Sequence, residues 1–193
     1  MPATPHMRYT APMSLPLLPD RGCGGCVECC RVIPLNLPEL AKPTGELCGY
    51  CVDGAGCSVH AVRPQTCRVW FCLWRAVELS DDWRPDRSGV IVRPDGVERG
   101  EITLYVVRRS EFLAGLDFFA TVAGWIAEGM EVALSVPGPV GTYPARALVT
   151  DWLRPAVEEG DPEDFVARVI ASLDRLSEHD FQPDGVVARY AVI

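Results

Sequence analysis

Cysteine is the residue type in this sequence whose number and spacing most clearly indicate chemistry. All nine cysteines of the 193-residue chain lie between Cys23 and Cys72. Their order is Cys23-x2-Cys26-x2-Cys29-Cys30, then Cys48-x2-Cys51-x5-Cys57-x9-Cys67-x4-Cys72. A two-residue spacer lets a tight turn direct both sulfurs to one side, where they can bind the same metal ion or cluster. The spacing therefore predicts a thiolate-ligated metal centre, with all nine cysteines as candidate ligands.

Two ligand patterns compete for these residues. Cys23, Cys26 and Cys29 match the opening of the ferredoxin-type run that binds a [4Fe–4S] cluster, whose fourth ligand would come from farther along the chain. The CxxC pairs that end at Cys29 and Cys51 are also separated by a distance typical of zinc ribbons. The three-cysteine run and the surplus of cysteines slightly favour a [4Fe–4S] cluster, and zinc is the alternative.

The neighbouring residues Cys29 and Cys30 limit how one metal ion can be bound. Adjacent side chains diverge in a helix and in a strand, so both thiolates rarely reach one tetrahedral ion. Either the two serve different centres, or one is a spare thiol, and we expect Cys30→Ser to be the mildest substitution. The number of centres stays open at this point. An odd cysteine count without an export signal disfavours a disulfide framework, and Cys48/Cys51 lacks the βαβ context of a redox-active pair.

Two motifs resemble those of a known family. They are Cys23-x2-Cys26-x2-Cys29-Cys30 and Gly56-Cys57-Ser58-Val59-His60-x2-Arg63-Pro64-x2-Cys67-Arg68. In this order they resemble the CxxCxxCC family of zinc- or iron-chelating proteins (the YkgJ-like cysteine cluster proteins) over residues 21–75. The resemblance implies a bound zinc ion or iron–sulfur cluster. The flagellin lysine methylase carries a similar cysteine cluster, so group (methyl) transfer is a competing function, although the sequence contains no methyl-donor motif.

Other side chains near the cysteines are candidates for supporting the centre. Arg63 and Arg68 would offset thiolate charge and donate hydrogen bonds to sulfur. His60 could replace a cysteine as a zinc ligand, although a lone histidine is more often hydrogen-bonded elsewhere or exposed to solvent. Four aromatic residues are expected to pack in the core, with cover of the metal centre as the alternative: Trp70, Phe71, Trp74 and Trp83.

The charge distribution bears on partners and location. The net charge of −8 is uneven, because residues 1–76 carry seven basic and five acidic side chains whereas residues 77–193 carry eleven and twenty-one. No dense Lys/Arg patch occurs, so we expect no nucleic-acid partner. The sequence has no run of about 18 apolar residues and no signal segment, which predicts a cytoplasmic protein without membrane association. A protein partner is left open.

The sequence predicts an α+β fold, in which a cysteine-rich metal-binding half of loops and short helices packs on a small helix and strand half. The predicted regions are a flexible tail at 1–20, the cysteine cluster at 21–80 and a region of unknown role at 81–193. Predicted helices cover 27–32, 63–77, 112–130, 145–153 and 162–176, and predicted strands cover 90–92, 102–107, 132–136 and 186–193. Pro155 is expected to end the fourth helix and Asp161 to cap the fifth.

Three functions are compatible with these features. The leading hypothesis is a metal-binding protein for electron transfer, redox sensing or support of a partner enzyme. An enzyme that uses the cluster in group transfer is the second, and a zinc-stabilised interaction module without redox chemistry is the third. The prediction leans away from an enzyme, because the sequence has no nucleophile elbow, P-loop or dinucleotide-binding motif.

Overall fold

The computed structural model describes residues 16–37, 40–94 and 100–184 of the chain. The predicted tail lies outside these residues except for 16–20, and the predicted strand at 186–193 lies wholly outside them. The described residues form helices and small sheets, which confirms the predicted α+β fold. Within the same residues, no helix has the length and apolar character needed to cross a membrane.

The cysteine-rich half consists of short elements joined by turns. They are α1 (Glu28–Val32), β1 (Leu35–Leu37), β2 (Leu40–Lys42), β3 (Cys51–Val52), β4 (Gly56–Cys57) and α2 (Gln65–Val69). β1 pairs with β2 and β3 pairs with β4, so this half contains two antiparallel ribbons. α1 ends where it does because Ile33, which precedes Pro34, takes an extended conformation.

The prediction of one continuous helix over residues 63–77 is wrong. The backbone is extended at Trp70 and Cys72, and a 3₁₀ turn follows at Leu73–Arg75. Residues five apart in a continuous α-helix point about 140° away from each other, so Cys67 and Cys72 could not both face one cavity. The extended break allows both to line the same cavity.

The second half is built on a four-stranded mixed sheet. Its elements are α3 (Pro85–Ser88), β5 (Val90–Pro94), β6 (Glu101–Val106), α4 (Leu116–Ala127), β7 (Glu131–Val136), β8 (Ala145–Leu148), α5 (Thr150–Glu159) and α6 (Pro162–Ser177). The strand order is β5-β6-β7-β8, in which β6 and β7 are parallel and the other two pairs are antiparallel. α4 forms the crossover that a parallel pair requires. The predicted strands at 90–92, 102–107 and 132–136 are confirmed, and the loop at 95–99 lies outside the described residues.

The helix predicted over residues 112–130 is divided in two. The apolar spacing predicts one buried stripe, which is right at Ile126 and wrong at Leu116; its members are Phe112, Leu116, Phe119, Ala123, Ile126 and Met130. Gly115 has an extended backbone between a 3₁₀ turn at Glu111–Ala114 and α4. The interruption resets the helical phase, so Leu116 is 72% exposed although its spacing predicts a place on the buried stripe. The buried residues of α4 are Phe118, Val122 and Ile126.

The segment around Pro155 also differs from the prediction of a helix at 145–153. Ala145–Leu148 forms β8, because its backbone pairs with β7 and the Ala145 carbonyl also accepts a hydrogen bond from Ser135 Oγ at 2.9 Å. α5 then begins at Thr150 and continues through Pro155. The Asp161 cap is confirmed, since its carboxylate accepts hydrogen bonds from the first turn of α6.

The two halves share one hydrophobic core, which fixes the cysteine-rich half on the sheet. Cys72 and Trp74 pack in the same buried cluster as the sheet and helices α4 to α6. Trp83 is fully buried there, with its ring 4.9 Å from Phe112 and 5.6 Å from Phe118. Trp83 is therefore a core residue, as predicted.

Candidate metal centre

Two CxxC pairs fold into turns with the same local geometry. The amide of Cys26 donates to the carbonyl of Cys23 at 2.9 Å, and the amide of Cys51 donates to the carbonyl of Cys48 at 2.8 Å. A turn closed in this way brings the two side chains of each pair to the same side. The backbone thus forms a tight turn at Cys23–Cys26 and another at Cys48–Cys51.

Glycine backbones allow the first cysteine turn to pack closely against the β3–β4 ribbon. A Cβ on Gly25 would lie 2.3 Å from the carbonyl oxygen of Gly54, and a Cβ on Gly56 would lie 2.1 Å from that of Gly24. Gly56 also has a φ of +91°, a conformation that side chains disfavour. Glycine at these positions permits the close approach that places the first cysteine turn beside the β3–β4 ribbon.

All nine cysteines line one or both of two neighbouring cavities. The larger cysteine cavity has a volume of about 60 Å³ and is lined by Cys23, Cys26, Cys29, Cys30, Cys57, Cys67 and Cys72. The smaller cysteine cavity has a volume of about 30 Å³ and is lined by Cys29, Cys30, Cys48, Cys51, Cys57 and Cys67. None of the nine forms a disulfide. The fold thus gathers residues from a 50-residue stretch into one thiol-rich region.

Burial keeps several of these thiols protonated. It is the main reason why the pKa values of Cys26, Cys51 and Cys67 are raised, and it raises the pKa of Cys72 to about 12. The pKa of Cys30 is raised first by a hydrogen bond with Cys29 and then by burial. A metal cation would supply the positive charge that these sites need to hold thiolates.

The side chains as they stand do not define an ion position. In the described part of the chain, no group of three or more His, Cys, Asp or Glu side chains is arranged to hold a metal ion. The thiols of the described chain share cavities without forming such a group. Binding of a metal would therefore require some of these side chains to rotate.

The two arginines predicted to support the centre lie in different surroundings. Arg63 lines both cysteine cavities and donates to the carbonyl of Cys67 at 3.2 Å. Arg68 is exposed, and its Nε donates to the carbonyl of Arg63 at 2.8 Å. Arg63 is therefore positioned beside the thiols, whereas Arg68 forms a hydrogen bond with the backbone of Arg63.

His60 also lines the larger cysteine cavity, but one of its ring nitrogens is already occupied. Its Nε2 lies 2.9 Å from Nη1 of Arg63. A guanidinium only donates, so Nε2 must accept this hydrogen bond. Burial and the neighbouring Arg63 lower the pKa of His60, which favours the neutral ring that accepts.

Two cations beside the cysteines were missed by sequence reasoning. Arg84 lines the larger cavity, and its Nη2 donates to the carbonyl of Cys23 at 3.0 Å. Lys42 is only 3% exposed and lines the smaller cavity, where its Nζ donates to the carbonyls of Arg31 and Pro43. No sequence signal points to Arg84, whereas Lys42 stands out as the only lysine in the chain.

Three of the four aromatic residues considered as cover lie at the larger cavity. Trp70, Phe71 and Trp74 line it, whereas Trp83 does not. Trp74 also packs in the main core and donates from Nε1 to the carbonyl of Ser80 at 3.1 Å. Core packing and cover of the thiols are thus combined in Trp74.

The larger cysteine cavity also reaches the second half of the chain through Arg84 and Pro85. Its volume of about 60 Å³ lies far below the roughly 300 Å³ at which pockets for organic ligands begin. Two roomier cavities, of about 220 and 430 Å³, are lined by residues of the second half alone, and Trp152 lines both of them. This division favours a small inorganic occupant for the cysteine site over an organic methyl donor.

Comparisons with known proteins found no relative. No protein family matches the chain, no curated protein matches it, and no solved structure matches it. Functional inference therefore rests on the residues and their geometry.

Proposed function

We propose that this protein binds a thiolate-ligated metal centre in its cysteine-rich half, with a [4Fe–4S] cluster favoured over zinc. The observation that carries the proposal is that all nine cysteines, free of disulfides, line two adjoining cavities. Packing alone does not require cysteines to lie together, yet these come together from turns, ribbons and helices. The resemblance to the CxxCxxCC family, based on residues 21–75, points to the same class of centre.

The preference for an iron–sulfur cluster is supported by the position of Cys72. It lines the larger cavity together with the three cysteines of the run that begins at Cys23. Three evenly spaced ligands with a distant fourth are the pattern of a [4Fe–4S] site. Arg63, Arg75 and Arg84 also line this cavity and would offset the negative charge of a four-thiolate cluster.

Electron transfer, redox sensing and support of a partner enzyme are the roles that such a centre would serve. Free thiols in this number are stable in a reducing compartment, which supports a cytoplasmic location. Metal binding would displace protons from thiols whose pKa values are raised, and side chains would rotate as the ligands form.

Purification of the full chain without oxygen, followed by measurement of iron, zinc and acid-labile sulfide, tests the proposal. We expect iron and sulfide in equal amounts and visible absorption from the cluster. A colourless protein with stoichiometric zinc would contradict the preference for iron and support a zinc-stabilised module. Protein that contains neither metal after such purification, and takes up neither on reconstitution, would contradict the proposal itself.

A further inference from the structure

The two cysteines on α1 pack in two different apolar environments. Cys29 and Cys30 are consecutive on the helix, so their side chains leave it about 100° apart. Cys29 packs against the main core, which contains Cys72. Cys30 packs against a separate buried cluster that contains Cys48 and Cys51. One helix thus contributes one thiol to each side.

The first set of thiols surrounds the larger cavity. Cys23, Cys26 and Cys72 line that cavity and not the smaller one. They come from the first cysteine turn and from the extended segment after α2, so the fold brings the three to one cavity from separate parts of the chain. With Cys29, they make a set of four.

The second set is organised by the β3–β4 ribbon. Cys51 lies directly opposite Cys57 in the ribbon, and cross-strand partners project from the same face. The amide of Cys48 donates to the carbonyl of Cys30 at 3.3 Å, which ties the second CxxC turn to α1. These four cysteines belong to one apolar cluster, in which Cys67 has no part.

Each set also has its own buried or half-buried cation. Arg84 lines the larger cavity and donates to the carbonyl of Cys23. Lys42 lines the smaller cavity together with Cys30 and Cys48 and does not line the larger one. Separate counter-charges are what two separate thiolate sites require, because each site must offset its own negative charge.

We infer that the protein has two distinct four-thiolate metal centres, one held by Cys23, Cys26, Cys29 and Cys72 and the other by Cys30, Cys48, Cys51 and Cys57. The inference rests on the proposed function and specifies its ligands and stoichiometry. The two centres adjoin at Cys29–Cys30. Cys67, which packs in neither of the two apolar clusters, is the ninth, unassigned thiol, in place of Cys30, which the sequence suggests as the spare residue.

Thiol protection in the wild-type full chain tests this assignment. Metal-loaded protein is treated with iodoacetamide while a chelator removes the metal in steps, and alkylation of each cysteine is followed by peptide mass spectrometry. We expect Cys67 to react first and the other eight to lose protection in two groups of four with the membership given above. Loss of protection in one group, or in two groups of different membership, would overturn the inference and leave the proposed function standing. A wild-type chain that binds no metal would instead contradict the proposed function.

Single substitutions provide a second readout with a matched control. We expect Cys26→Ser to lose the metal of the first set while the thiols of the second stay protected, and Cys48→Ser to give the reverse. Cys67→Ser is the control and should keep the wild-type metal content. Folded Cys26→Ser or Cys48→Ser protein that lost all protection would overturn the inference. If either variant does not fold, the order of protection in the wild-type chain decides.

Discussion

Single charged residues beside the cysteines differ in what they contact. Arg84 donates to the carbonyl of Cys23 and forms an ion pair with Asp86 at 3.0 Å. Burial is the main reason why the pKa of Cys26 is raised. The negative charge of Asp86 raises this pKa further, whereas the positive charge of Arg84 lowers it. Arg68 instead extends into solvent from α2. A buried thiolate depends most on the nearest cation, so these two arginines should contribute unequally.

The substitution Arg84→Met is expected to weaken metal binding by about 10- to 100-fold, the usual effect of losing a group that supports a metal ligand. It removes the positive charge near Cys26 and leaves the carboxylate of Asp86 without its ion-pair partner. Competition with a chelator on the metal-loaded chain measures the change. Arg68→Met is the matched control and should retain wild-type affinity. Equal losses in the two variants would contradict this account of Arg84.

The candidate ligands and the cations beside them differ in how far the sequence predicts them. Cysteine spacing is a local signal, since a CxxC turn brings its two thiols together wherever the turn lies. Arg84 reaches Cys23 across 61 positions, through a contact that only the packing of the two halves creates. Long-range contacts of this kind leave no periodicity or motif to detect.

At the level of elements, the first cysteine turn contains a glycine at a position that has no space for a side chain. Gly25 faces the carbonyl oxygen of Gly54 so closely that a Cβ would lie 2.3 Å from it. A Cβ on Gly49, in the second cysteine turn, would have no heavy atom within 4 Å other than those of the adjoining residues. Gly49 also lies outside the left-handed region of φ. The two turns therefore provide a matched pair of glycines.

We expect Gly25→Ala to lose bound metal and to lower the melting temperature, because the turn must move away from the β3–β4 ribbon. Gly49→Ala should keep its metal and be unchanged or up to about 1 kcal/mol more stable, since alanine restricts the unfolded chain. Metal analysis and thermal unfolding of both variants give the comparison. Full metal content in Gly25→Ala would show that contact between the first cysteine turn and the β3–β4 ribbon is unnecessary for binding.

The phase of α4 is one element-level feature that the sequence predicts incorrectly. Phe118 is fully buried among Trp83, Phe112 and Phe165, whereas Leu116 faces solvent. Phe118→Ala should therefore destabilise the fold by about 3–5 kcal/mol. Leu116→Ala should cost no more than about 0.5 kcal/mol, as exposed substitutions usually do. Denaturant unfolding of both variants measures the difference. A larger loss of stability in Leu116→Ala than in Phe118→Ala would contradict the burial of Phe118 and support the stripe predicted from the sequence.

Elements with strong local signals are predictable from the sequence, and those set by pairing are not. Asp161 caps α6 as expected, because its side chain bonds amides only two and three residues away. The prediction of helix for the β8 segment is wrong, since the apolar spacing around Ala145 fits a helix until pairing with β7 is known. The break at Gly115 similarly follows from packing, because glycine tolerates many conformations and signals no particular one.

At the level of the whole molecule, the largest fully buried side chains lie in the sheet half, whereas the cysteine half is built from short elements. The fully buried side chains Trp83, Phe118 and Phe165 all lie in the second half. The described helices of the cysteine half, α1 and α2, have only five residues each. Helices this short are not stable alone, so their order comes from packing and, in the proposed holoprotein, from metal.

Removal of metal with a chelator is therefore expected to loosen the cysteine half while the sheet half stays folded. Far-ultraviolet circular dichroism should retain most of its helical signal, because α4, α5 and α6 contain most of the helical residues of the described chain. The melting temperature should fall, and addition of metal should restore it. An unchanged melting temperature would mean that metal binding contributes nothing to folding, and loss of all helical signal would mean that the sheet half cannot fold without it.

X-ray absorption at the edge of the bound metal tests the central claim most directly, because it identifies the ligand atoms themselves. The full chain, purified without oxygen, should give a first shell made of sulfur alone, at about 2.3 Å from iron or zinc. For a [4Fe–4S] cluster, the spectrum should also contain an iron–iron shell. A first shell dominated by oxygen or nitrogen would contradict thiolate ligation, and with it the proposed role of the cysteine cavities.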